Sequence, residues 1–230
     1  METNGNRLMF CDANGALKQI IDVLSGKNGR LWLKRINAYV QQGAMKAFGW
    51  KTSKPVRLRS FESFEILMAV AEHKKKQEKL FQSYEAPSIL QQLSFPIPEE
   101  TVTFIALSVK DLGFDEVTKI SSIKECLPSL DLELCRDSDS AQLWLTDDPD
   151  AKSFLIGETT NCVGRALIVP GKVFHVENSH KEKIPFFSQV YFISDGIMYR
   201  GHNDKISCED ECDEDFDFLP QDKLLFRVKK

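Results

Sequence analysis

Apolar positions recur at spacings of three and four in the first part of the chain, and in short runs or at alternate positions beyond residue 100. That pattern predicts helices first and strands later. From Asn14 to Leu24, the residues Leu17, Ile20, Ile21 and Leu24 share one helical face. The stretch "SGKNG" ends this helix, because Gly26 and Gly29 suit a helix terminus. A second helix follows in "RLWLKRINAYVQQ", with Leu31, Trp32, Ile36 and Tyr39 or Val40 on one stripe. A third is predicted in "SFESFEILMAVAEHKKKQEKLF", capped by Ser60 with Ser63 and Glu65 nearby, turning Phe64, Leu67, Met68 and Ala71 inward and ending in a solvated charged tail.

The second part reads as strands around one helix. "TVTFIALSV" is a β-branched and aromatic run bounded by prolines and "DLGF", which predicts an inner strand. In "TKISSIKECLPSLDLELC", Ile120, Ile123 and Leu127 have helical spacing until Pro128, after which Leu130, Leu132 and Leu134 alternate as in a strand. Further strands are expected in "AQLWL", "SFLIGE", "RALIVP", "KVFHVE", "SQVYFIS", "IMYRG" and "KLLFRV", with a hairpin turn at Asp195 and Gly196. The expected fold is α+β: a small helical N-terminal part, then a mostly antiparallel sheet or small open barrel with one early helix.

Charge divides the chain as well. Residues 1–86 carry 15 Lys and Arg against 8 Asp and Glu, whereas residues 87–230 carry 15 against 26. The sign changes close to Pro87, Pro96 and Pro98, which remove backbone donors and bias their neighbours towards extended conformations. Three parts are expected: a basic helical part over 1–86, a proline-containing linker over 87–100 and an acidic strand-rich domain over 101–230.

The 230 residues, 42% hydrophobic and 28% charged, suffice for a core without staples. No apolar run is long enough to span a membrane, and "METNGNRLMF" lacks the layout of a secretory signal, so a cytoplasmic location is expected. In that compartment Cys11, Cys126, Cys135, Cys162, Cys208 and Cys212 are expected to be free thiols.

The succession "LSGKNGRLWLKRINAYVQQ", "SFPIPEETVTFIALSVKDLGF", "LDLELC", "QLWL", "VYFISDGIMYRGHND" and "LLFRV" resembles a family of uncharacterised bacterial proteins over almost the whole chain. In that family a Gly-x-x-Gly-x-x-Trp-Leu helical segment precedes a leading apolar strand and an "LGLELCP" helix-to-strand step. Here Arg136 stands where the family has proline after the cysteine, and the stretch after Leu145 is acidic rather than glutamine-containing. The resemblance implies a shared fold and carries no established activity.

Three constellations are candidates for chemistry. In "MKAFGWKTSKPVRLR", Lys46, Lys51, Lys54, Arg57 and Arg59 are interleaved with Phe48 and Trp50. Cations that neutralise phosphate beside rings that stack on unpaired bases suit a nucleic acid, so Lys46, Trp50, Lys51, Lys54, Arg57 and Arg59 are the candidate contacts. The same pattern also describes an exposed connector with solubilising lysines over two buried aromatics. In "KVFHVE", His175 and Glu177 fall on one face of a strand, and with His202 they form a candidate acid–base set. In "GHNDKISCEDECDEDFDFLP", Cys208 and Cys212 have an acceptable zinc-ligand separation with His202 nearby. A second pair is missing there, and the acidic run lacks the glycine and ligand spacing of a calcium loop, so a solvated acidic loop without a structural metal is expected.

No Gly-x-Ser-x-Gly, phosphate-cradling glycine loop or His-Glu-x-x-His is present. These readings converge on a binding or interaction protein without a cofactor, its partner a protein or, through 46–59, a nucleic acid. An enzyme using His175, Glu177 and His202 is the alternative.

Overall fold

The structure is a computed structural model. It describes residues 25–26, 29–30, 33–34, 36, 48–77, 80–82, 86–160, 167–177, 183–193, 196–202 and 216–229, with backbone alone at 76–77, 80–82, 159–160, 176–177, 183–186, 189, 191–193 and 196–202. Helices and mostly antiparallel sheets make the chain α+β, in line with the pattern. It forms two compact units, Met1–Trp50 and Lys51–Lys230. The division therefore falls at Trp50 and Lys51, and the segment 87–100, expected as a linker, lies inside the second unit.

Pairing across that segment explains why. Strand β1 (Val56–Leu58) runs antiparallel to β3 (Glu100–Val102), with Phe61 bridged to Ile97 between them. Much of the intervening segment is itself ordered, with a short helix α2 (Ala86–Gln91) burying Ala86, Ile89 and Leu90. Pro87, Pro96 and Pro98 lie within this unit.

In the first unit the described residues at 29–30, 33–34 and 36 are helical, as the apolar stripe predicts, and the Gly29 amide donates to the Gly26 carbonyl at 2.9 Å. The helix expected over 14–24 lies outside the described residues. In the second unit, helix α1 (Phe64–Gln77) buries Leu67 and Ala71 and packs Phe64 and Met68 against the core. Its first turn is capped by Ser63 and not by Ser60: the Ser63 carbonyl accepts from Leu67 and its hydroxyl from Ile66.

The run expected as one strand is broken at Thr103 into β3 and β4 (Phe104–Ser108). Helix α3 (Ile120–Cys126) follows β5 (Thr118–Lys119) and leads through a 3-10 turn at Leu127–Leu130 to β6 (Leu132–Leu134). "AQLWL" is helical: α4 spans Asp139–Trp144, with all six residues buried. "SFLIGE" is likewise helical, within α5 (Pro149–Thr160). An amphipathic stripe needs an exposed face, and α4 has none, so its apolar residues imitate strand alternation.

Strands β2 (Leu80–Gln82), β7 (Leu167–Glu177), β8 (Lys183–Ile193), β9 (Gly196–His202) and β11 (Lys223–Val228) join β4 in a sheet ordered β2-β9-β8-β7-β11-β4, with β6 also on β11. A small sheet pairs β5 with β10 (Asp217–Phe218). The expected strands "RALIVP" and "KVFHVE" contribute to one irregular strand, β7, whose register against β8 shifts between Val169 and Phe174. Pro170 supplies no amide there. Gly171 leaves no room for a side chain without a shift of the backbone, because a Cβ would lie 2.6 Å from the Cys135 carbonyl oxygen.

Candidate functional site

The basic segment meets carboxylates of its own chain. Past the Ser53 hydroxyl, which accepts from the Phe104 amide at 2.8 Å, Lys54 pairs with Asp150 at 2.9 Å. Arg57 pairs with Glu99 at 2.7 Å, and Arg59 lies 4.0 Å from Asp147 and 5.9 Å over the Phe61 ring. The acceptors Asp147 and Asp150 belong to the acidic turn that starts α5, whereas Glu99 directly precedes β3. The hydrogen bond and the charge of Asp150 hold the Lys54 amine above its ordinary range. Lys51 is exposed, Trp50 is half-buried and stacks on Phe48 with centroids 5.0 Å apart, and Lys46 lies outside the described residues. Of the six expected nucleic-acid contacts, Lys54 is thus committed to an ion pair with the start of α5 and Arg57 to one with Glu99 just before β3, while Arg59 is only within ionic range of Asp147.

Beside these pairs runs a groove of about 470 Å³. Its wall is a second stripe on α1, formed by Ile66, Ala69, Val70 and His73, and Arg59, Lys74 and Asp147 close it. Ile66 is 47% exposed, although it sits one position from the core residue Leu67. The Lys74 side chain is only 8% exposed, and its ammonium bonds Asp147 Oδ1, whose side chain is 63% exposed. A buried cation is tolerable only with such a partner. The groove therefore combines an apolar wall with three nitrogen-bearing side chains and one carboxylate.

The expected inward stripe of α1, Phe64, Leu67, Met68 and Ala71, does not include this site. The second stripe was readable, since Ile66, Ala69, Val70 and His73 also recur at three and four.

The candidate acid–base residues are distributed over two strands. His175 and Glu177 lie on β7 and His202 on β9, with β8 between them: His175 is registered with Pro185 and His202 with Phe187. Two strand spacings separate them, about 10 Å. The side chains of Glu177 and His202 lie outside the described residues. His175 has its backbone engaged by Gln92, whose Oε1 accepts from the His175 amide at 3.0 Å while its Nε2 donates to the His175 carbonyl at 2.7 Å. Cys208 and Cys212 also lie outside the described residues, among which no group of three metal-ligating side chains occurs.

Around Cys135 the structure places a buried ionic network. Arg227 donates Nε to Asp139 Oδ2 at 2.6 Å and Nη2 to Oδ1 at 2.5 Å, and its Nη1 reaches Glu100 at 3.0 Å. Arg136 joins through its side chain to Glu100 at 2.9 Å and its amide to Asp139 at 2.8 Å. Burial penalises the Arg227 charge, yet Asp139 and Glu100 outweigh it and hold the guanidinium above its ordinary range. The Cys135 thiol donates to the Leu225 carbonyl at 3.3 Å, and burial followed by the charge of Asp139 pushes it well above 9. Such a thiol stays protonated and inert at neutral pH. Two arginines and two carboxylates balance one another here, which suits a structural tie between β3, α4 and β11.

Comparison with protein-family models, curated proteins and solved structures gives no match to this chain. Among the described residues no helix is long and apolar enough to cross a membrane.

Proposed function

We propose that the chain is a binding module that recognises another protein through the groove along α1. The observation that carries this reading is the stripe of Ile66, Ala69 and Val70 on α1, with Ile66 and Ala69 exposed, flanked by Lys74 of the same helix and by Arg59 and Asp147 from outside it. Ligand sites are typically concavities of about 300–1,000 Å³ that combine an apolar lining with a few fixed polar groups, and the groove has both features. The basic segment supports the choice from the other side. With Lys54 and Arg57 already paired, fewer of its cations remain to displace counterions from a phosphate backbone.

Photocrosslinking tests the proposal. A benzoylphenylalanine placed at Ala69 in the full chain, expressed in its native cell, is expected to yield one discrete protein adduct that the same group at Glu125, exposed on α3, does not give. Identical adduct patterns from the two positions would remove the groove as the recognition surface.

A second reading keeps nucleic acid as the ligand of segment 46–59. It is favoured by the stacked pair Phe48 and Trp50, of which Phe48 is 39% exposed, next to the exposed Lys51. Rings in that setting can stack on unpaired bases.

A further inference from the structure

We infer that the occupant of the α1 groove is an acidic segment of a partner protein, one that places a carboxylate beside apolar side chains. The inference rests on the α1 groove being the binding surface and adds the chemistry of what it binds. The groove holds two cations, the half-exposed Arg59 and the buried Lys74, and the imidazole of His73, but a single carboxylate, Asp147. Both cations address that one group: the Lys74 ammonium bonds Asp147 Oδ1, and Arg59 Nη1 stands 4.0 Å from Oδ2. At 4.0 Å the guanidinium is in ionic range but makes no hydrogen bond, so its donors remain available to a second oxyanion.

Asp147 is mostly exposed while Lys74 is almost wholly buried. The anion is therefore the movable member of the pair, and the cation is fixed in the wall. An incoming carboxylate that meets Arg59 and approaches Lys74 completes the charge balance that Asp147 alone leaves short. Apolar side chains flanking it would cover Ile66, Ala69 and Val70, two of which are exposed in the free chain. A basic segment would face repulsion from Arg59 and Lys74. A polyanion without apolar groups would leave the Ile66 wall wet.

Fluorescence anisotropy with short labelled peptides tests the assignment. The probes are a leucine–glutamate peptide, the same peptide with glutamine for glutamate, and a single-stranded oligonucleotide. The glutamate peptide is expected to bind the full chain about tenfold more tightly than the glutamine peptide, the size of one charge-assisted hydrogen bond. Arg59→Gln should remove most of that preference, and Asp147→Asn should tighten glutamate-peptide binding severalfold by removing the built-in competitor. Should Asp147→Asn unfold for want of a partner to Lys74, the Arg59→Gln variant and the glutamine peptide still decide the matter.

Equal affinity for the two peptides, or a preference untouched by Arg59→Gln, would overturn the carboxylate assignment even where crosslinking from Ala69 has found a partner. Oligonucleotide binding that Ile66→Asp abolishes would overturn it too, in favour of nucleic acid. Absence of a specific adduct from Ala69, by contrast, removes the underlying surface.

Discussion

Asp148 shows how one carboxylate can join two elements. Its Oδ1 accepts from the amides of Asp150 at 2.8 Å and Ala151 at 3.3 Å, which caps α5, and its Oδ2 accepts from the Arg57 amide of β1 at 3.1 Å. Partial burial alone would push this carboxyl up, but the three amides and the charge of Lys54 outweigh it and hold it below the usual aspartate range. A depressed folded-state value means stability that is present above the unfolded value and lost as pH falls through the folded one. Asp148→Asn should therefore melt below wild type at neutral pH, with the difference shrinking below about pH 4. Asp148→Ala is expected to cost about 1 kcal/mol, the usual cost of a lost cap, read from urea unfolding. A pH-independent difference would show that the carboxylate charge is not what the amides recognise. The cap was legible in the sequence, because an aspartate before a proline at the first helical position is a start signal. The apolar run "SFLIGE" diverted the reading to a strand.

Among whole elements, the pattern was most legible where one face is wet and least where none is. Helix α3 and strands β9 and β11 match their predicted segments, β6 and β8 overlap theirs, and α1 fills the middle of its own, whose end at Leu80 and Phe81 is strand β2 instead of helix. Helix α4 is a counterexample. Its polar residues Asp139 and Gln142 are buried because each has specific partners, Arg227 for one and the Arg59 and Pro98 carbonyls for the other. Those partners are distant in sequence and leave no local signal. Strand β7 is a second case, where "IVPGKV" reads as a turn between two strands but forms an irregular stretch within one. Gly171→Ala there forces a methyl group against the Cys135 carbonyl and should cost about 1–3 kcal/mol, the range for an overpacked interior. Denaturant unfolding measures it, and a change below about 0.5 kcal/mol would mean that β7 and the Cys135–Arg136 segment separate freely.

On the scale of the whole molecule, the charge reversal and the structural division do not coincide. The reversal was placed near residue 86, whereas the compact units meet at Trp50 and Lys51. Lys54, Arg57 and Lys74 neutralise carboxylates that the chain supplies about 40 to 100 residues later, and a count along the sequence cannot see such pairs. By unit, 1–50 holds 7 Lys and Arg against 3 Asp and Glu, and 51–230 holds 23 against 31. A fragment beginning at Lys51 keeps β1, its carboxylate partners and the main sheet, so it should unfold in one cooperative transition by circular dichroism. The fragment lacks Lys46, Phe48 and Trp50, which the full chain retains, and its net charge is more negative than that of the full chain. If nucleic acid is the ligand of 46–59, the full chain should shift a labelled single strand, the shift should weaken steeply with salt, and the fragment should give none. Equal retention by the fragment would place the contacts within 51–230 and leave the Phe48–Trp50 stack without a part in binding. A broad, non-cooperative melt would instead show that residues 51–230 need the first unit to fold.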